Sequence, residues 1–256
     1  MSKSALIIGG SSGIGSAIVE KLASASFNVC VIHRDRRQFA EQFVASCKNI
    51  SMKEKVVIST FNIDGTNESK IEGFLEELDN SVFETFDLVV HALSRGNLKD
   101  LTGNGPVLSQ QDFALTIDAM GINLHTWVIK LLNRNFLRDG SRILALTSEG
   151  NKKFWPGYGA VATAKAALEN IAQYLAVELA EKGITVNIIQ AGITDTTSLR
   201  MIPGAETLLS ETADRNPFGR LTTPQDVANF VYLITLPEAR WVNGALIHVD
   251  GGEHLK

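Results

Sequence analysis

A doubly wound, parallel α/β sheet in one domain is the fold class this sequence predicts, and three observations predict it. Short apolar runs alternate with stretches of helical period along the whole chain, the pattern of repeated βα units. The first of these units is joined by a glycine-rich turn, Gly9-Gly-Ser-Ser-Gly13-Ile-Gly15. No Pro-, Gly- or Ser-rich linker divides the 256 residues, so 1–256 is read as a single domain. Together these describe a Rossmann-type sheet with right-handed crossovers between parallel strands.

Taken in order, Ala5-Leu-Ile-Ile8 is an apolar run of strand length, and Ser16 to Ala23 has helical period. Between them Gly9 permits a tight turn, Gly13 lets the backbone approach a pyrophosphate, and Gly15 lets the helix pack close to the strand. Free N–H groups at the positive end of that helix face the anion. Gly9, Ser11, Ser12, Gly13, Ile14 and Gly15 are therefore candidate cofactor contacts. A strand at 28–32 follows, then a helix near 36–48, a strand near 55–61 and a helix near 68–80. Phe86 to His91 reads as the fourth strand, a helix spans about 110–136, and Ser141 to Leu146 is the fifth strand. Pro156 and Gly157 precede a helix over about 157–181, and Thr185 to Ile189 is the sixth strand. Pro224 opens a helix to Leu236, and Ala245 to Val249 is the last strand. Residues 95–108 and 197–216 read as surface loops. Ligands of such sheets collect outside the strand carboxyl ends, where the glycine turn, His91, Ser148 and Gly192 fall.

Composition bounds the function. A hydrophobic content of 45% with a mean hydropathy of +0.06 describes a globule, not a disordered or membrane chain. The net charge of −4 argues against a nucleic-acid partner, whose phosphates demand a basic surface. No His/Cys cluster has metal-ligand spacing, so no metal is expected. Cys30 inside the second strand and Cys47 in or near the next helix read as buried thiols of a reducing compartment. The first strand begins by residue 5, which leaves no room for a signal peptide, and no apolar run has membrane-spanning length. A cytoplasmic protein with no membrane partner is the expectation.

The chemistry is carried by Tyr158 and Lys165, seven residues apart on one expected helix. Seven residues are close to two α-helical turns, so both side chains project from nearly the same face. A phenol beside an ammonium is a proton-donating pair, because the cation favours phenolate and lowers the tyrosine pKa. In the commoner Tyr-x-x-x-Lys arrangement the tyrosine would stand at position 162, where this chain has Ala162. After the second strand, Arg34 stands where an acidic residue would receive an unmodified ribose and repel a 2′-phosphate. Guanidinium groups there suit a phosphate, which points to NADPH with Arg34 as the contact and Arg36 or Arg37 as a second. The other reading of these arginines is a solvated helix start beside Asp35.

Gly9-x-x-x-Gly13-x-Gly15 followed by the Tyr158/Lys165 pair resembles the short-chain dehydrogenase/reductase family over nearly the whole chain. Asn62-Ile-Asp64 is similar to the segment whose Asp lies beside the adenine, and Asn123 falls in the helix that carries the family's active-site Asn. Ser148, seventeen residues before Lys165, matches the family serine. Pro217-Phe-Gly-Arg220, Pro224-Gln-Asp226 and Val249-Asp-Gly-Gly252 match the C-terminal pattern. Two departures narrow the resemblance: His91-Ala92-Leu93-Ser94 replaces Asn-Asn-Ala-Gly, and Ala191-Gly192 replaces Pro-Gly. With the Tyr-x6-Lys spacing they look like the divergent branch of enoyl-acyl-carrier-protein reductases. Ser148, ten residues before Tyr158 where many of these carry a second aromatic, is similar to their NADPH-dependent subgroup.

The resemblance implies that Tyr158, Lys165, Ser148 and Asn123 form the reaction centre and that Asp64, His91, Lys165, Gly192, Thr194 and Thr196 contact the cofactor. It implies an acyl thioester on acyl carrier protein or coenzyme A as substrate, and a homotetramer. Several residues keep two readings. Asn123 supports a water chain or kinks its helix; His91 lines the nicotinamide pocket or caps a strand end; Phe154 and Trp155 border an acyl pocket or pack in the core. Leu168, Ile171, Leu175 and Leu179 pack against the sheet or against another subunit. A ketoreductase of a β-ketoacyl or secondary-metabolite substrate, and a nucleotide-binding protein without catalysis, remain the alternative functions.

Overall fold

The structure, a computed structural model, describes residues 3–79 and 81–256. In chain order it consists of β1 Ser4–Ile8, α1 Gly13–Ser24, β2 Asn28–His33, α2 Arg37–Glu54, β3 Ile58–Asn62, α3 Glu68–Leu78 and β4 Leu88–His91. The second half adds α4 Gln110–Ile117, α5 Asn123–Asn133, β5 Arg142–Ser148, α6 Gly159–Glu178, β6 Thr185–Ala191, α7 Thr197–Arg200, α8 Ala205–Arg215, α9 Pro224–Leu233 and β7 Leu246–Val249. The seven strands form one parallel sheet in the order β3-β2-β1-β4-β5-β6-β7. The order reverses at β1, which pairs with both β2 and β4. A crevice therefore opens beyond the carboxyl ends of β1 and β4, where neighbouring crossovers leave in opposite directions.

The period of the strands divides the core into two layers. On β1, Leu6 and Ile8 face a cluster with Trp127, Phe74, Leu168 and Leu175, under α3, α5 and α6. Ala5 and Ile7 face the opposite cluster with Ile18, Leu22, Val227 and Val231, under α1 and α9. All five residues of β1 are buried, which is why the strand reads as a continuous apolar run rather than an alternation. Leu168, Leu175 and Leu179 belong to the first cluster, so that face of α6 packs against the sheet. Cys30 and Cys47 are buried free thiols, as their strand and helix contexts led us to expect.

Two expected elements differ from the observed ones. The helix over 110–136 is interrupted by a π-helical turn at Asp118–Ile122. At that turn Gly121 lies against α6 so closely that a Cβ would stand 3.0 Å from the Ala164 carbonyl oxygen. The wide turn lets the helix approach α6 and then resume at Asn123 with its side chain rotated inward. The surface loop expected at 197–216 contains α7 and α8 instead. Ala205, Leu208, Leu209 and Thr212, at i, i+3, i+4 and i+7, turn inward together, which gives α8 a face to bury. The segment 95–108 stays irregular apart from a single bridge between Asp100 and Val107. Elsewhere the differences are shifts of element ends, the largest being α2, which runs to Glu54. The expected end of the 68–80 helix, and residues 1 and 2 of the single-domain reading, lie outside the described residues.

Candidate active site

A cavity of about 820 Å³ opens beyond the carboxyl ends of the central strands. Gly9, Ser11, Ser12, Gly13, Ile14 and Gly15 line one end, with Arg34 and Asp64 beside them. Ser148, Tyr158, Lys165, Gly192, Thr194 and Thr196 line the other. Of the candidate site residues singled out by sequence, His91, Asn123, Arg36 and Arg37 are not part of its wall.

The glycine turn makes a cradle for an anion. Gly15 permits the closest approach: a Cβ there would collide with the Gly9 carbonyl oxygen, so any larger residue would push α1 off β1. Ser12 caps α1 in an extended conformation but spends no side-chain hydrogen bond on the helix. The first-turn amides of α1 consequently remain available to a ligand in the cavity. From above, Thr196 caps α7 through its hydroxyl, which accepts from the Leu199 amide at 3.2 Å. Its methyl group lies over Gly13, where a Cβ would come within 2.9 Å of it. Thr194 donates to the Gly192 carbonyl at 2.9 Å and holds the bend after β6.

Basic charge gathers where the adenine-ribose half of a dinucleotide would lie, but by a different route from the expected one. Arg34 Nη1 donates to Asp64 Oδ2 at 2.8 Å, and Arg95 Nη1 donates to the same oxygen at 2.9 Å. Thr66 satisfies the other oxygen of Asp64 from its amide and its hydroxyl. Burial opposes ionisation of this carboxyl, yet the Thr66 bonds and the two guanidinium groups hold it below the ordinary carboxylate value. Arg36 and Arg37, expected as second contacts, stand outside the cavity: Arg36 precedes α2 in the extended region and Arg37 pairs with Glu41. The second guanidinium at this end is Arg95, from the segment after β4. Asp35 is held back by the His33 ring at 2.8 Å and by Asn62.

At the other end β5 and α6 are fastened side by side. Ser148 Oγ and Tyr158 Oη lie 3.0 Å apart. Lys165, only 5% exposed, donates from Nζ to the Leu146 carbonyl at 2.7 Å. Burial lowers its pKa to about 8, with Glu169 pulling it back up. The expected lowering of the Tyr158 pKa by the neighbouring cation is not what the site shows. Burial raises the phenol and the Ser148 hydrogen bond counters it, while the ammonium donates to the Leu146 carbonyl. A raised pKa keeps the phenol protonated at neutral pH, which is the state a proton donor needs.

His91 and Asn123 sit behind this wall. His91 is 0% exposed, and its Nε2 faces Asn123 Oδ1 at 3.1 Å. Asn123 Nδ2 donates to the Gly65 carbonyl at 3.0 Å, which Trp127 also reaches at 2.9 Å. The amide orientation makes Oδ1 an acceptor, so His91 must carry its proton on Nε2. His91 closes β4, and Asn123 opens α5 directly after the π-helical turn. Neither residue touches the cavity.

The substrate side is bordered by residues that sequence reasoning left undecided or missed. Phe154 is 88% exposed and Trp155 donates from Nε1 to the Pro203 carbonyl at 2.8 Å, so both border the cavity rather than the core. Leu208, Glu211 and Arg215 of α8 close the same side. The signal for them was the inward spacing from Ala205, which polar neighbours obscure. Among the described residues no group of three or more His, Cys, Asp or Glu is placed to hold a metal ion. None of the described helices is long and apolar enough to cross a membrane.

Comparison with known proteins agrees with this geometry. The family model described as enoyl-(acyl carrier protein) reductase matches residues 9–254. The chain is 31% identical to the enoyl-acyl-carrier-protein reductase (NADH) FabI of Aquifex aeolicus, over 72% of this chain and 67% of that protein. It is 28% identical to an NADPH-dependent aldehyde reductase-like protein, chloroplastic, of Arabidopsis thaliana, over 97% of this chain and 93% of that protein. Among solved structures, the Aquifex aeolicus enoyl-acyl-carrier-protein reductase (NADH) superposes with a TM-score of 0.85 at 25% identity, covering 99% of this chain and 97% of that one. The angucycline C-6 ketoreductase LanV with bound NADP superposes with a TM-score of 0.86 at 26% identity, covering 99% and 96%.

The buried His91 makes stability depend on pH. Its pKa falls from 6.5 to about 4, chiefly by burial and then by the Lys165 charge. The unfolded chain therefore binds a proton that the folded chain refuses between those values, and stability is lost as pH falls from 6.5 towards 4. The full loss from this one group is about 3 kcal/mol. His91→Asn keeps a donor towards Asn123 but cannot titrate, so urea denaturation of the variant should show a shallower acid decline than the wild type. Identical declines would mean that His91 titrates normally in the folded state.

Proposed function

The chain belongs to the short-chain dehydrogenase/reductase family, in the division described by the enoyl-(acyl carrier protein) reductase model, and we propose that it reduces 2-enoyl thioesters with NADPH. Membership makes it an oxidoreductase that uses a nicotinamide dinucleotide. The cradle at Gly15, the unspent Ser12 cap and the buried ammonium of Lys165 fit such a cofactor along the cavity. When bound, the nicotinamide supplies the hydride.

The observation that carries the enoyl reading is the position of Tyr158, one residue before α6 and seven before Lys165, with Ala162 at the alternative place. In carbonyl reduction, hydride and proton go to the two atoms of one C=O. In conjugate reduction, hydride goes to the β-carbon while charge develops on the thioester oxygen, on the order of 2 Å or more further away. Moving the tyrosine by four residues displaces it by roughly 6 Å along the axis. Tyr158 then donates to the thioester oxygen as it gains negative charge, an oxyanion-stabilising role. Ser148, 3.0 Å from the phenol oxygen, orients that hydroxyl and offers the substrate oxygen a second donor. Lys165 would hold the nicotinamide ribose hydroxyls.

NADPH is favoured by Arg34 and Arg95, which meet on Asp64 at the adenine end. The thioester carrier, acyl carrier protein or coenzyme A, enters past Phe154 and Trp155. Exposed apolar side chains on two neighbouring helices, Ile129 of α5 with Tyr174 and Val177 of α6, support self-association into a tetramer. The net charge of −4 supports a partner set without nucleic acid, and the reducing cytoplasm suits the two free thiols. A ketoreductase reading draws on the Ser148–Tyr158 pair, because two hydroxyls 3.0 Å apart also suit a carbonyl oxygen.

Tyr158→Phe should bind NADPH as the wild type does and lose about a hundred-fold or more in turnover of a crotonyl thioester. Wild-type protein that reduces an acetoacetyl thioester readily and ignores the crotonyl one would replace this reading by the ketoreductase one, and no turnover of either would favour nucleotide binding alone. For the cofactor, Arg34→Ala should raise the Michaelis constant for NADPH far more than that for NADH. Wild-type preference for NADH, or equal effects on the two, would overturn the NADPH assignment.

A further inference from the structure

We infer that Glu169 is a positioning residue for the reaction: it fastens the segment carrying Ser148 at two points and sets a negative charge one helical turn from Lys165. The inference rests on the reading of Ser148, Tyr158 and Lys165 as the reaction centre, and is indifferent to whether an enoyl or a carbonyl group is reduced.

Glu169 follows Lys165 by four residues on α6, so the two side chains share a face. Its side chain is 15% exposed. A single oxygen, Oε1, accepts from Thr147 Oγ1 and from Asn151 Nδ2, each at 2.7 Å. These donors stand on either side of Ser148 in sequence, Thr147 at the end of β5 and Asn151 in the 3-10 turn Glu149–Asn151. With Lys165 on the Leu146 carbonyl and Tyr158 on Ser148, α6 and its N-cap residue grip residues 146, 147, 148 and 151 by four hydrogen bonds. The turn they fix lies against the tyrosine ring, since a Cβ at Gly150 would stand 2.5 Å from Tyr158 Cε1. A shift of that turn therefore moves both hydroxyls, and Glu169 sets their separation without touching the substrate.

The charge has a second effect. The groups facing Glu169 are Lys165 from its own helix, Lys152 at 3.9 Å, and His248 from β7. Lys165 in turn faces His91 from β4. Burial works against the lysine charge and Glu169 works for it. Glu169→Gln keeps an acceptor for Thr147 and Asn151 but removes the charge, whereas Glu169→Ala removes both. The two variants separate holding from electrostatics.

The test follows the Lys165 side chain by NMR of lysine labelled at Cε, in protein without cofactor, with the signal assigned by its absence in Lys165→Arg. In Glu169→Gln the titration should move to lower pH by on the order of one pH unit. With whichever of the crotonyl and acetoacetyl thioesters the wild type turns over, the alkaline limb of kcat/KM should move the same way. Turnover in Glu169→Gln at pH 6.5 should stay near the wild type, while Glu169→Ala loses about ten-fold in kcat. An unmoved Lys165 titration, or equal turnover in folded Glu169→Ala and wild-type protein, would overturn the inference. If Glu169→Ala does not fold, the Lys165 titration in Glu169→Gln decides alone. Because that titration needs no turnover, it stands even if the proposed reaction fails.

Discussion

The seam between β5 and α6 is the constraint on which the rest of the site depends. β5 ends where the polypeptide must deliver Ser148 to the cavity, and α6 begins where it must deliver Tyr158. Neither end is fixed by its own element: a strand end can fray, and Tyr158 lies outside the regular turns of its helix. What fixes them is the cross-link from one helix face, with Lys165 on the Leu146 carbonyl and Glu169 on Thr147 and Asn151. A buried ammonium without partners would cost several kcal/mol, so the carbonyl and the carboxylate are what make this lysine tolerable there. The same burial that depresses the lysine raises the phenol, and the raised phenol suits a donor that stays protonated until negative charge develops beside it.

Two neighbouring parts of one end of the cavity are built on different physics. The glycine turn offers backbone to the cavity, because the approach of α1 to β1 at Gly15 leaves room for no side chain. Beside it the cavity wall offers side chains from three separate segments, with Arg34 and Arg95 drawn together on one carboxylate oxygen of Asp64. The π turn at Asp118–Ile122 directly precedes Asn123 behind the cavity wall. It brings Asn123 onto His91 and Gly65, so the floor of the cavity is tied to the segment that carries Asp64.

The sheet was legible in the sequence because strands buried on both faces leave continuous apolar runs, such as Ala5 to Ile8 and Leu88 to Val90. The glycine turn and the Tyr158/Lys165 pair were legible because both are local spacings. What escaped was set by contacts distant in sequence. The π turn arises where Gly121 meets Ala164, and no local signal marks it. α8 buries a face whose Ala205, Leu208 and Thr212 are diluted by Glu206, Thr207, Ser210 and Glu211. Arg95 displaces Arg36 and Arg37 as the second cation because the segment after β4 folds back towards β3. The direction of the tyrosine shift escaped because local spacing does not tell how deeply the phenol is buried, and burial is its largest cause.

In the proposed reaction the seam aims Tyr158 at the oxygen of an enoyl thioester, leaving the β-carbon to receive hydride. The most direct test locates that hydride. NADPH deuterated at the transferable position of nicotinamide C4 is incubated with a crotonyl thioester in ordinary water, and the product is read by deuterium NMR. The account predicts a butyryl thioester with deuterium on the β-carbon and hydrogen from water on the α-carbon. An untouched crotonyl thioester, together with deuterium on the carbinol carbon of a 3-hydroxybutyryl product from an acetoacetyl thioester, would contradict it.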